Sequence, residues 1–224
     1  MVSTERVSGF FVDDESDVVF QGVHHLGSRR KSEEAFLEVR DLRQRKIGEY
    51  NAARVVRSLA AEEAPGSGSA DVRFRVFSKR CDVPQAAAIW WRWASATPLR
   101  SGEWAGRPAG FDEAWLHVVQ NSWFASGHSA AYYGDEGVAH LDGAQFSTRA
   151  GFYCALGEAV NGPGGYFGSN RDALHDCLRP SDAERRLRRL EWRDLGRSKS
   201  ALGGTFVRTV LEILGEHSVD VVER

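Results

Sequence analysis

Two carboxylates four residues apart, with an imidazole beside them, form the most chemically suggestive group in this sequence. They lie in the segment Tyr166-Phe167-Gly168-Ser169-Asn170-Arg171-Asp172-Ala173-Leu174-His175-Asp176-Cys177-Leu178. At about 100° per residue, a helix starting after Asn170 places Leu174, Cys177 and Leu178 on one face and Asp172, His175 and Asp176 on the other. Like charges at this spacing cost an isolated helix about 0.2–0.5 kcal/mol, and Asp is a poor residue for a helix interior. Asp172 has a structural reason to be there, because the first turn favours negative charge. Asp176 lies later, and its neighbour one turn back is Asp172 and not a cation. It therefore points to a function. His175 on its own reads as a surface histidine.

The elements that must hold this helix follow a simple alternation. From Val138 onward the pattern is strand, helix, helix, strand, helix, strand. Val138 to Leu141 is the first strand. Ser147 is a candidate cap for a helix with Phe152, Ala155, Leu156 and Ala159 on its apolar face. Asn170 caps the short acidic helix. Leu187 to Trp192 forms a strand, Thr205 caps a last helix carrying Val207, Val210, Leu211 and Leu214, and Val219 to Val222 is a final strand. Strands separated by helices of this length predict a small parallel α/β sheet.

The first part has a different texture. Val7 to Val12, Val18 to Val23, Ala35 to Val39 and Asp71 to Phe77 read as strands, and Arg54 to Leu59 is ambiguous between strand and helix. Glu62 to Ala70 is a polar loop. Gln85 to Ser95 reads as a helix, Thr97 to Gly110 as a Pro/Gly-rich loop, and Asp112 as the cap of a second helix to about Ala125. Ala130 to Tyr133 and Val138 to Leu141 suggest a hairpin. Six of the seven Trp lie between Trp90 and Trp123. Packing between the two helices explains that cluster, and an aromatic contact surface is the alternative.

Composition narrows the function classes. The chain has 224 residues, 29 Lys plus Arg against 31 Asp plus Glu, and a net charge of -2. That is ordinary for one or two globular domains and carries no overall footprint of nucleic-acid binding. Cys81, Cys154 and Cys177 include no CxxC pair, so neither a disulfide framework nor a zinc site is expected. No signal peptide and no apolar stretch of membrane-spanning length stand out, which leads to a cytoplasmic expectation. Gly162-Pro163-Gly164-Gly165 lacks the features of a P-loop or dinucleotide loop. Gly127-His128-Ser129 is not a nucleophile elbow, and His24-His25 has no nearby ligand set. No nucleophile–base pair, metal set or cofactor loop is apparent, and neither an enzyme nor a cofactor is expected. The basic residues between Arg179 and Lys199 read as a solvated surface.

The segment from Tyr166 to Leu178 resembles the signature of the barstar family of intracellular ribonuclease inhibitors. The shared pieces are the aromatic pair, Gly168, Asn170, Asp172-Ala173-Leu174 and Asp176-Cys177-Leu178. Leu190-Glu191-Trp192-Arg193 with Ser198-Lys199 is similar to a second family motif. The resemblance runs from about Val138 to Arg224. It implies an α/β domain with a small three-stranded parallel sheet packed by helices, assigned to residues 129–224, after an α+β region at residues 1–128. It further implies a non-catalytic inhibitor whose acidic helix stands in for substrate phosphates in the active site of a ribonuclease or nuclease toxin. Tyr166, Gly168, Asn170, Asp172, His175, Asp176 and Glu216 would form the partner-binding set, with Asp176 central and Glu216 flanking. Two features depart from the family: His175 replaces the usual Trp, and Arg179 to Arg189 replaces a loop with a further aromatic contact. The alternative reading is an interaction adaptor that uses this fold and a Trp-rich surface for another partner.

Overall fold

The computed structural model describes residues 2–11, 17–23, 25–26, 28, 30–57, 70–77, 81–95, 97–127, 137–179 and 186–224. The expected strand partner at 130–133, the His128-Ser129 motif, His24 and most of the 62–70 loop lie outside them. The chain begins with β1 (Val2–Ser3), β2 (Arg6–Ser8), β3 (Val18–Val23) and β4 (His25–Leu26), followed by β5 (Lys31–Arg40), β6 (Lys46–Arg57) and β7 (Ala70–Val76). β1 pairs with β4, and the other five make an antiparallel sheet in the order β2-β3-β7-β6-β5. The ambiguous stretch at 54–59 thus contributes to a strand. β6 begins eight residues before that stretch, where Gly48 to Asn51 shows no alternating apolar pattern. Tertiary packing explains it: a Cβ at position 48 would fall on the Trp90 ring.

Two helices cover this sheet, α1 (Ala86–Ala94) and α2 (Phe111–Ser126). The cap of α2 is Gly110 in the left-handed region at φ 82°, not the expected Asp112. Asp112 sits in the first turn, where its carboxylate accepts from the Thr148 hydroxyl. Asn121 ties α2 to β6 by copying a strand's hydrogen bonds. Its Nδ2 donates to the Glu49 carbonyl at 2.7 Å and its Oδ1 accepts from the Glu49 N–H at 2.8 Å. Trp90, Trp104 and Trp115 are buried. The clustered Trp therefore serve mainly as core, and Trp91 is the member left 55% exposed.

The C-terminal part runs β8 (Val138–Asp142), α3 (Arg149–Asn161), α4 (Arg171–Leu178), β9 (Arg189–Arg193), α5 (Leu195–Leu202), α6 (Gly204–Glu216) and β10 (Asp220–Glu223). The three strands are parallel in the order β10-β9-β8, as the alternation predicts. Thr148, one residue after the expected Ser147, caps α3 by accepting from the Gly151 N–H at 3.0 Å. α6 starts at Gly204 without a side-chain cap, so Thr205 is not its cap. α5 is an addition to the expected order. It begins at Asp194, held at φ 54°, and is pinned by buried Ser198, whose hydroxyl accepts from Trp192 Nε1 at 3.0 Å. Buried side chains of both parts join in one cluster, from Phe10, Val18 and Trp115 to Phe152, Leu174, Trp192 and Leu214. No helix of the described residues is long and apolar enough to cross a membrane.

Candidate functional site

The acidic helix is built as its sequence dictates. Asn170 Oδ1 accepts from the Ala173 N–H at 2.9 Å and closes the first turn. Gly168 sits at φ 95°, where a Cβ would press on the backbone of Leu174 at 3.0 Å. Gly168 and Asn170 therefore shape the turn that aims the helix. Leu174 and Leu178 are buried and fix the inner face, and Cys177 beside them is half-buried. Burial, with Asp176 as a lesser cause, pushes the Cys177 thiol up to about 11. All three cysteines are free thiols.

Asp172 and Asp176 point to solvent. Asp176 does have a cationic neighbour, one the sequence reading did not identify: Arg179 Nη1 lies 3.5 Å from its Oδ1, with both side chains more than 70% exposed. Such an exposed pair contributes little to stability. His175 leans towards α6. Its Nδ1 lies 3.0 Å from Nε2 of His217, a bond in which one ring nitrogen donates and the other accepts, and its Nε2 lies 3.9 Å from the Glu216 carboxylate. The structure thus gathers Asp172, His175, Asp176 and Glu216 around α4 and adds His217. Among the described residues, no group of three or more His, Cys, Asp or Glu could hold a metal ion.

Tyr166 is placed differently from an exposed contact residue. It is 2% exposed, and the rings of Trp123 and Phe124 lie 5.6 and 6.1 Å from its own. Its hydroxyl lies 3.2 Å from Ser169 Oγ. Its carbonyl accepts from Asn161 Nδ2 at 2.7 Å. The loop before it is anchored by Glu158 on α3, which accepts from the N–H of Gly102 at 2.7 Å and of Gly164 at 3.3 Å. Burial raises the Glu158 carboxyl above the usual range. Nothing local in the sequence marks His217 as a neighbour of this helix, or Trp123, Phe124 and Glu158 as neighbours of the loop before it, because each arrives through tertiary packing.

The motif at Leu190-Glu191-Trp192-Arg193 has a structural role in this geometry. Leu190 and Trp192 are fully buried in the central strand, and Ser198 receives the indole hydrogen bond. A parallel three-stranded sheet, a capped acidic helix and this Trp–Ser lock now stand together. Residues 137–224 match the family model described as Barstar (barnase inhibitor). The match begins one residue before β8, includes the whole parallel sheet and α3 to α6, and leaves the antiparallel sheet, α1 and α2 outside. This barstar-like part carries the barnase-inhibitor-like fold and every residue of the expected binding set. No curated protein matches the chain.

Proposed function

We propose that the chain is a non-catalytic inhibitor of a microbial ribonuclease or related nuclease toxin, acting as an intracellular immunity factor or antitoxin. The observation that carries this reading is the solvent-facing pair Asp172 and Asp176 on a capped helix within the barstar-like part. An active site that binds a polyanion presents cations in a fixed arrangement. A helix already folded around two carboxylates pays little ordering entropy to meet them, and opposite charge speeds the encounter. Residues 138–224 carry 12 basic and 12 acidic residues, so attraction rests on local segregation of charge and not on net charge.

Asp176→Ala tests the mechanism. Removing one member of a desolvated charge pair typically costs ~2–5 kcal/mol, mostly as faster dissociation. Inhibition of the cognate nuclease should fall by orders of magnitude while the melting temperature hardly moves. Among the described residues only the exposed Arg179 contact is lost, and repulsion from Asp172 is relieved. Glu191→Ala is the control for losing any carboxylate, since Glu191 lies on β9 paired with Arg224 at 2.9 Å. Unchanged inhibition by a folded Asp176→Ala variant would refute phosphate mimicry.

A further inference from the structure

The approach to α4 is not formed by the barstar-like part alone. Tyr166 lies there but is covered, and what reaches solvent over it is Phe124, from the last turns of α2, 68% exposed. Phe124 and Tyr166 meet across the junction of the two parts, and the Tyr166 hydroxyl, 3.2 Å from Ser169 Oγ, ties that pair to the turn that leads into α4. A shallow groove follows the same side of α2, lined by Glu49, His117, Gln120 and Asn121 as well as Phe124. A second groove shares His117 and Gln120 with it and reaches Asn170 and Arg171 at the start of α4. The two grooves thus lead along α2 to the cap and first residue of the acidic helix.

Resting on the inhibitor reading above, we infer that the C-terminal turns of α2 belong to the same nuclease-binding face, with Phe124 as its apolar anchor. The partner this fits has two adjoining features, a cationic centre for the phosphate and an apolar or aromatic ledge on which a substrate base stacks. Asp176 meets the first and Phe124 the second. Bases stack on aromatic surfaces regardless of sequence, and an exposed ring held on a helix matches such a surface at small entropic cost. The other exposed large apolar residues, Phe36, Leu42, Phe77 and Trp91, lie on the antiparallel sheet, its loops or α1. Among the described residues, Phe124 is the one of these in ring contact with the helix-leading loop.

The test uses the full chain against a panel of purified secreted microbial ribonucleases that includes barnase. Phe124→Ala should weaken inhibition of the best-inhibited enzyme at least about tenfold, with Trp91→Ala unchanged and both melting like wild type. Phe124→Trp should retain inhibition, because the ledge still receives an aromatic face. Hydrogen exchange on the wild-type complex supplies a readout independent of variant folding: amides of residues 117–126 should gain protection together with those of α4. Loss of inhibition in Asp176→Ala with none in Phe124→Ala, or protection confined to α4, overturns this inference and leaves the inhibitor reading standing. Inhibition of no enzyme in the panel, or equal inhibition by Asp176→Ala, overturns both.

Discussion

Asn170, a member of the proposed binding set, has a folding role of its own. Its side chain closes the first turn of α4, so Asn170→Ala should cost ~1 kcal/mol of stability and weaken nuclease inhibition through a frayed helix start. Thermal melts and inhibition assays on the same sample separate the two effects. Glu158 lies outside the proposed binding set, yet it holds the chain that leads to Tyr166. Glu158→Ala leaves the Gly102 and Gly164 N–H groups without their acceptor, at ~1–3 kcal/mol for each that stays buried. The pH dependence of that loss has a definite sign. Because burial raises the carboxyl, the folded protein holds its proton more tightly than the unfolded chain. The contribution of Glu158 is therefore fully present below the ordinary carboxylate range and declines as pH rises through the raised value. The stability gap between wild type and Glu158→Ala, measured by denaturant titration at several pH values, should narrow towards neutral pH.

At the level of elements, α2 is bound to β6 by a half-buried polar relay. Trp90 Nε1 donates to the Tyr50 hydroxyl at 2.7 Å, and that oxygen lies 3.1 Å from His117 Nε2. Burial lowers His117 below the usual histidine range. The unfolded chain takes up this proton first on acidification, so stability should fall as pH drops below about 6.5. His117→Gln should show a shallower acid limb in melts over the same interval. How far each element was readable in the sequence follows the range of the forces that make it. α4 is legible from Asn170, Leu174 and Leu178 because cap and apolar stripe are local. The parallel strands are legible from spacing. β6 is hidden because its Gly48 is explained only by Trp90, and α5 is hidden because Leu195 to Leu202 carries little apolar period and is secured by the Trp192–Ser198 bond. The site follows the same rule. The positions of Asp172 and Asp176 come from helical periodicity, whereas the burial of Tyr166 depends on α2 and could not be read locally.

For the whole molecule, the continuous core predicts shared stability. Phe10, Trp115, Phe152 and Leu214 belong to one buried cluster, so the full chain should unfold in a single transition by both calorimetry and far-UV circular dichroism. A fragment of residues 137–224 keeps the complete parallel sheet with α3 to α6. It should fold, but melt below the full chain, because Tyr166 loses Trp123 and Glu158 loses Gly102. Two separate transitions in the full chain, or equal melting of the fragment, would contradict that coupling. The covering of Tyr166 also bears on how such chains diversify. A boundary between residues 127 and 137 looks like a natural seam for recombination, yet the ring contacts at 123, 124 and 166 cross it. A barstar-like part transplanted onto a different leading segment would inherit an uncovered tyrosine and a different neighbour for the loop before its acidic helix. Lineages that shuffle these segments should show paired substitutions at 123, 124 and 166, and a change of target enzyme could arise from the leading segment while α4 itself stays the same.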